Sequence, residues 1–174
     1  KKAFEFAARK EFITASAKGA LTARSPVSAY QEFIKNTIKG GIKGAADSAR
    51  PLAGMKIVID SGNGASFYMA APLRDLGATV YELFAEPEGI FANHTPNPDK
   101  DENIAQLAEE VKARGAGLGI CFDCDGDRVR FVDGRGKIAA GDETLMFLTD
   151  YRLRQPQYKG DYVVINNRTS WAIP

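Results

Sequence analysis

Three aspartates at alternate positions, Asp123, Asp125 and Asp127, follow directly on a short apolar run and are separated only by Cys124 and Gly126. Packing three carboxylates so closely is costly without a cation: at an effective dielectric of about 20, two unit charges roughly 4 Å apart repel by about 4 kcal/mol. A divalent cation would remove that cost. Oxygen ligands alone favour Mg²⁺, Mn²⁺ or Ca²⁺ over zinc, and three protein carboxylates leave coordination positions for phosphate or water, which suits Mg²⁺. The same residues would also serve a solvated acidic turn, since Asp and Gly are ordinary turn formers. Arg128 adjoins the cluster and offers phosphate a planar fork of donors; its other role would be a salt bridge to one of the aspartates.

Other residues carry weaker signals. Gly62, Asn63 and Gly64 resemble the glycine turn of a dinucleotide site, but Phe67 stands where a third glycine would fall, so a structural turn is expected. His94 lies in a proline-bounded loop with no sequence neighbour to make it a base or ligand, and a hydrogen bond fixing that loop is its expected role. Thr14, Ala15 and Ser16 include a serine that could carry a phosphoryl group, yet no glycine-rich, histidine or lysine context activates it. Cys121 and Cys124 are the only cysteines. One strand and the loop just after it are poor geometry for a disulfide, and zinc would need soft ligands the chain lacks.

These residues need a frame to hold them. MKIVID from Met55 reads as a strand, SGNGAS as a glycine turn, and residues 67–76 as a helix stopped by Gly77. ATVYELFA is a second strand, followed by the long irregular loop EPEGIFANHTPNPDK. A helix from Asp101 with Ile104, Leu107, Ala108 and Val111 on one stripe stops at Gly115. GLGICFD is short, apolar and glycine-flanked, as a strand buried in a parallel sheet is, and the DCDGDR loop sits at its carboxyl end, where open sheets bind ligands. RVRFVD, the turn GRGK and IAA predict a β-hairpin; Asp142 would cap a helix carrying Leu145, Met146, Leu148 and Leu153; DYVVIN would begin a further strand. Ahead of all this, Ser25 and Pro26 open a helix through Tyr30, Phe33, Ile34 and Ile38 to Gly40 and Gly41. Alternating β and α elements predict an α/β fold, a three-layer α/β/α sandwich with a mostly parallel sheet and one β-hairpin, preceded by a linking helix.

Composition sets outer bounds. With 44% hydrophobic and 26% charged residues, the 174-residue chain is long enough for one sizeable core. Lys and Arg number 23 against 22 Asp and Glu, so a net charge of +1 supplies no field for nucleic acid or anionic membrane. No apolar run reaches the roughly 20 residues of a membrane helix, and KKAFEFAARKEF lacks a signal-peptide core. A cytoplasmic protein without nucleic-acid or membrane partners is expected.

Taken in order, VIDSGNGA, EPEGIFANHTPNPDKDENI, GAGLGICFDCDGDRVRFVD and GKIAAGDETL resemble the second domain of the α-D-phosphohexomutases, from about Met55 to Trp171. The helix around Tyr30 is similar to the segment joining that family's first domain to its second. The resemblance implies that Asp123, Asp125 and Asp127 bind Mg²⁺ beside an active-site phosphoserine and that Arg128 reaches the active site next to it. It also implies interconversion of hexose 1- and 6-phosphates through the phosphoserine and a bisphosphate, on a substrate shared with domains beyond this chain. Two departures stand out. The family loop reads DGDGDR, and Cys124 in place of its first glycine would be strained if a left-handed backbone were needed there. The family's serine loop reads TASHNP, of which Thr14 to Ser16 repeat only the first three letters before Ala17 and Lys18.

By this reading residues 1–50 are a lead-in and linking helix, 51–160 the metal-binding domain and 161–174 the start of a following domain or a final strand. Only residues 167–174 follow DYVVIN, an ending expected of a chain cut from a larger protein, and the fragment alone is expected to be inactive. Two rivals fit parts of the pattern. A haloacid-dehalogenase-like phosphatase would use Asp123 as nucleophile and Asp125 as acid/base, though its motif opens the core rather than following two βα units. A calcium-loop module would place Asp123, Asp125 and Asp127 at positions one, three and five, but Gly134 stands where a bidentate glutamate belongs.

Overall fold

The computed structural model describes residues 2–10, 16–17, 19–42, 44–165 and 169. The elements run α1 (Lys2–Arg9), α2 (Val27–Gly41), β1 (Lys56–Asp60), a 3₁₀ turn (Ala65–Met69), α3 (Ala70–Asp75), β2 (Thr79–Leu83), α4 (Asp101–Arg114), β3 (Leu118–Phe122), β4 (Val129–Asp133), α5 (Gly141–Leu153) and a short 3₁₀ turn (Pro156–Tyr158). The strands form one sheet of order β2-β1-β3-β4, in which β1 pairs parallel with β2 and β3, and β4 pairs antiparallel with β3. Helices cover both faces, so the expected α/β/α layering and mostly parallel sheet are what the chain forms.

Strand β1 lies inside the sheet, and alternation splits its apolar side chains between two cores. Ile57 and Ile59 join Leu52, Leu73, Leu76 and Val80 on the side of α2 and α3. Val58 joins Ile104, Leu107, Val111 and Val132 under α4. Val58, Ile104, Leu107 and Val111 are fully buried, and each such side chain contributes about 1.5–3 kcal/mol of hydrophobic stabilisation. Helix α4 is an amphipathic element with sharp ends: Asp101 and Glu102 complement the dipole at its start, Lys112 and Arg114 at its end, and left-handed Gly115 stops it. The α4 stripe packs on β1, β3 and β4. That packing fixes the carboxyl ends of the strands, from which the candidate site is built.

The structure departs from expectation at several places, each for a local reason. The hairpin arm of RVRFVD is β3, across the aspartate loop, whereas the IAA side contributes a single bridge, Val132 to Ile138. Helix α5 is preceded by Ala140, whose N–H donates to the Glu143 side chain at 2.9 Å, and Asp142 lies within the first turn. Helix α2 starts after Pro26 without a side-chain cap from Ser25. Residues 161–165 of DYVVIN form no strand, and Tyr162 and Val164 are almost fully exposed, because no sheet edge pairs with them. Lys2–Arg9 is helical with no buried residue, while Thr14, Ala15 and Lys18 lie outside the described residues.

Candidate metal centre

Phe122 pairs with Val129, so residues 123–128 are the connecting loop of a tight β3–β4 hairpin. The loop folds on itself through Asp123 N–H to the Arg128 carbonyl (3.3 Å) and Gly126 N–H to the Asp123 carbonyl (3.3 Å). Gly126 supplies the left-handed residue the turn needs, at φ 76°. Cys124 is not among the residues with positive φ. The strain expected at that position is therefore not found.

Asp123 is buried, 1% exposed, and both its carboxylate oxygens are engaged by one residue: Oδ1 accepts the Arg128 backbone N–H at 3.0 Å and Oδ2 accepts Arg128 Nε–H at 2.9 Å. Asp125 and Asp127 are exposed, and one oxygen from each of the three carboxylates lies within 4.8 Å of the others. Opposite ligands of an octahedral Mg²⁺ stand roughly 4 Å apart, given a Mg–O distance of about 2.1 Å. The donor set is hard oxygen, and its spread is close to what one such ion needs.

The titration behaviour reflects the crowding. Burial pushes the Asp123 carboxyl up, but the Arg128 backbone N–H, its guanidinium and Asp127 outweigh burial and hold Asp123 below the usual carboxylate range. Asp127 is raised, first by its hydrogen bond to Asp123 and then by the charges of Asp125 and Asp123. Cys121 is a core residue whose thiol burial pushes up to about 12, which removes it from redox or metal chemistry.

The glycine turn after β1 buttresses this loop. A Cβ on Gly64 would stand 2.5 Å from the Cys124 carbonyl oxygen, and Ala65 N–H donates to that oxygen at 2.8 Å. Only a residue without a side chain lets the two loops meet. Asn63 takes φ 54°, and its Nδ2–H donates to the Glu86 carbonyl at 2.8 Å. Gly62 to Gly64 are thus a structural turn, as expected, with the aspartate loop as the thing supported.

Arg128 does more than pair with Asp123. Its Nη1 donates to Asn97 Oδ1 (2.8 Å) and to Asp99 Oδ2 (2.7 Å), while Arg130 Nη1 donates to the Pro98 carbonyl (3.2 Å). The guanidinium is fixed from both sides by the aspartate loop and the long proline loop. Sequence reasoning missed Asn97, Asp99 and Asp60. For Asp60 a signal existed: VID and CFD are both apolar strands ending in an aspartate. His94 donates to the Thr95 carbonyl from Nδ1 (2.9 Å) and meets Asp60 Oδ2 with Nε2 (3.0 Å), so it does fix its loop.

A three-layer α/β/α domain with a carboxylate loop at the carboxyl edge of its central strands is the class that fold and site define. The chain matches the family described as phosphoglucomutase/phosphomannomutase, alpha/beta/alpha domain II, over residues 28–136, and it belongs to that family. It is 40% identical over 132 residues to a phosphoglucosamine mutase of Bordetella avium, covering 75% of this chain and 27% of the relative. It is 40% identical over 143 residues to a phosphomannomutase/phosphoglucomutase of Pseudomonas syringae pv. tomato, covering 81% of this chain and 28% of the relative. A phosphoglucomutase/phosphomannomutase family protein from Burkholderia thailandensis superposes with a TM-score of 0.65 at 31% identity, covering 86% of this chain and 30% of that one. The chain thus spans little more than a quarter of the length of these curated relatives. Family membership removes the dehalogenase-like phosphatase reading. The calcium-loop reading fails on geometry, because β4 already occupies Val129–Asp133, where such a loop would continue. Among the described residues no helix is long and apolar enough to cross a membrane.

Proposed function

We propose that residues 51–160 are the metal-binding domain of a phosphohexomutase that interconverts hexose 1-phosphate and 6-phosphate through a phosphoserine and a bisphosphate. Residues 1–50 lead in from a preceding domain and 161–174 open the next, and the protein works in the cytoplasm on a hexose phosphate shared among its domains. The observation that carries this reading is the convergence of Asp123, Asp125 and Asp127 on one point at the sheet's carboxyl edge, with Arg128 anchored beside them.

The three carboxylates would hold Mg²⁺, which when bound supplies positive charge against a transferring phosphoryl group. The residues of the chain do the positioning. Asp123 is oriented by two hydrogen bonds from Arg128, so its free lone pairs point in fixed directions. Arg128 keeps Nη2 for an anion, while Nε and Nη1 are occupied by Asp123, Asn97 and Asp99. Phosphoryl transfer depends on holding donor, metal and acceptor in line. Because the described residues offer the proposed metal corner and Arg128 but no carrier serine or sugar clamp, no mutase turnover is expected from this chain alone.

Thermal melts with and without millimolar Mg²⁺ or Mn²⁺ test the reading. A ligand that binds only the folded chain adds about 2.7 kcal/mol at one hundred times its Kd. An upward shift that disappears in Asp125→Ala is expected. No shift with either ion, or an equal shift in that variant, would remove the metal site from the proposal.

A further inference from the structure

Residues 86–100 cross the carboxyl edge of the sheet as a strap between the two loops. One end is held by the β1 turn: Glu88 N–H donates to the Asn63 carbonyl (2.9 Å) and Asn93 Nδ2–H to Asn63 Oδ1 (2.7 Å). The other end, Asn97 to Asp99, holds Arg128 and Arg130. Between them His94 reaches down to Asp60, whose side chain is fully buried, while the imidazole is 13% exposed. Both ring nitrogens face oxygens that need a hydrogen, the Thr95 carbonyl and the Asp60 carboxylate.

We propose that His94 and Asp60 form a proton-operated latch on this strap, closed while the imidazole carries both protons, and that the latch governs how firmly Asn97 and Asp99 hold Arg128. The proton lost is the one on Nδ1, because the Asp60 carboxylate holds the Nε2–H more strongly than a neutral carbonyl holds its partner. Asp60 stays in place, since its Oδ1 accepts the Gly62 N–H at 2.8 Å. The Nδ1 lone pair then faces the Thr95 carbonyl oxygen, and the relief available is for that carbonyl to turn away; the same oxygen accepts the Asn97 N–H at 2.7 Å, so Asn97 moves with it.

The groups around the latch do not cancel it. Asp60 is the charge that acts on the ring, and Phe84 lies edge-on to it with centroids 5.2 Å apart. Behind Asp60 the Cys121 thiol stays protonated, with Arg130 and Asp123 acting on it in opposite directions. The Asp60 hydrogen bond raises His94 above its ordinary value of 6.5, against burial and with help from the Thr95 carbonyl. A raised folded value means the latch stabilises fully below 6.5 and is lost as pH rises through the folded value. The consequence for phosphate binding rests on the proposed function. The latch itself does not.

His94 is the only histidine of the chain, so one imidazole signal reports it in NMR. Its midpoint should lie above 6.5, and the Asn97, Asp99 and Arg128 Nε signals should move with that same midpoint. Asp60→Asn keeps an acceptor for Gly62 and offers N–H to a neutral ring, so the midpoint should fall below the ordinary value and the Arg128 response should vanish. His94→Gln keeps a donor that does not titrate, and the strap signals should then stay flat through the transition. An ordinary midpoint in the native chain, or a raised one to which Asn97 and Arg128 do not respond, would overturn the latch. If Asp60→Asn does not fold, the comparison of the native chain with His94→Gln decides alone. Metal-induced melts read the carboxylate site instead, so the two ideas can fail separately.

Discussion

Asp60 and Asp123 end adjacent parallel strands, are both almost completely buried, and have opposite fates. Each gives Oδ1 to a backbone N–H of its own turn, Gly62 for one and Arg128 for the other. Each Oδ2 meets a nitrogen-bearing side chain. For Asp60 that side chain is an imidazole brought from the strap and shut in with it. For Asp123 it is a guanidinium that is 44% exposed, with two further carboxylates alongside. The first arrangement closes a carboxylate into the structure; the second leaves one beside two exposed carboxylates, where we propose a metal binds. The strand end and the turn hydrogen bond are shared, and the partner decides between structure and chemistry.

Removing each carboxylate in turn should produce the largest difference. Asp60→Ala is expected to cost about 3 kcal/mol, because it strips the strap anchor and leaves a buried N–H unpaired. Asp123→Ala should cost less, about 1–2 kcal/mol, since the half-exposed Arg128 can turn to water. Urea unfolding measures both, and the reverse order would break the comparison. A smaller loss, about 1–2 kcal/mol, is expected for Gly64→Ala, whose methyl group would wedge the β1 turn away from Cys124. The same substitution should weaken the metal-induced rise in Tm without touching any carboxylate. An unchanged metal response would show that the two loops do not support one another. The smallest effect is the most specific. Asp127 sits above the ordinary carboxylate range because of Asp123 and Asp125, so its contribution is favourable in acid and is lost as pH rises through its folded value. At neutral pH, Asp127→Asn should therefore raise Tm slightly without metal and lower it with metal. A change of the same sign in both conditions would exclude Asp127 from the site.

Much of this comparison was readable from residue order alone. The runs MKIVID and GLGICFD, the glycine stops and the alternate aspartates dictate strands, crossovers and a carboxylate cluster, because burial and charge spacing are local properties of a sequence. What could not be read depends on partners distant in sequence. His94 finds Asp60 across 34 positions and Arg128 finds Asp99 across 29. No period or motif encodes either pair. The concern over Cys124 came from taking glycine in the family loop as a backbone requirement, whereas only Gly126 takes a left-handed conformation. DYVVIN has the composition of a strand, yet strands exist only where an edge accepts them.

The pairing of β4 with β3 has a consequence in time as well as in space. The aspartate loop closes between neighbours in sequence, whereas the strap reaches the β1 turn only across the first parallel crossover and Arg128 only across the second. Local contacts close quickly and non-local ones pay more chain entropy first. The aspartate loop is therefore the piece that can form early, and the strap arrives to clamp it. Stopped-flow kinetics should then show substitutions at Gly126 slowing folding, and substitutions at His94 mainly speeding unfolding.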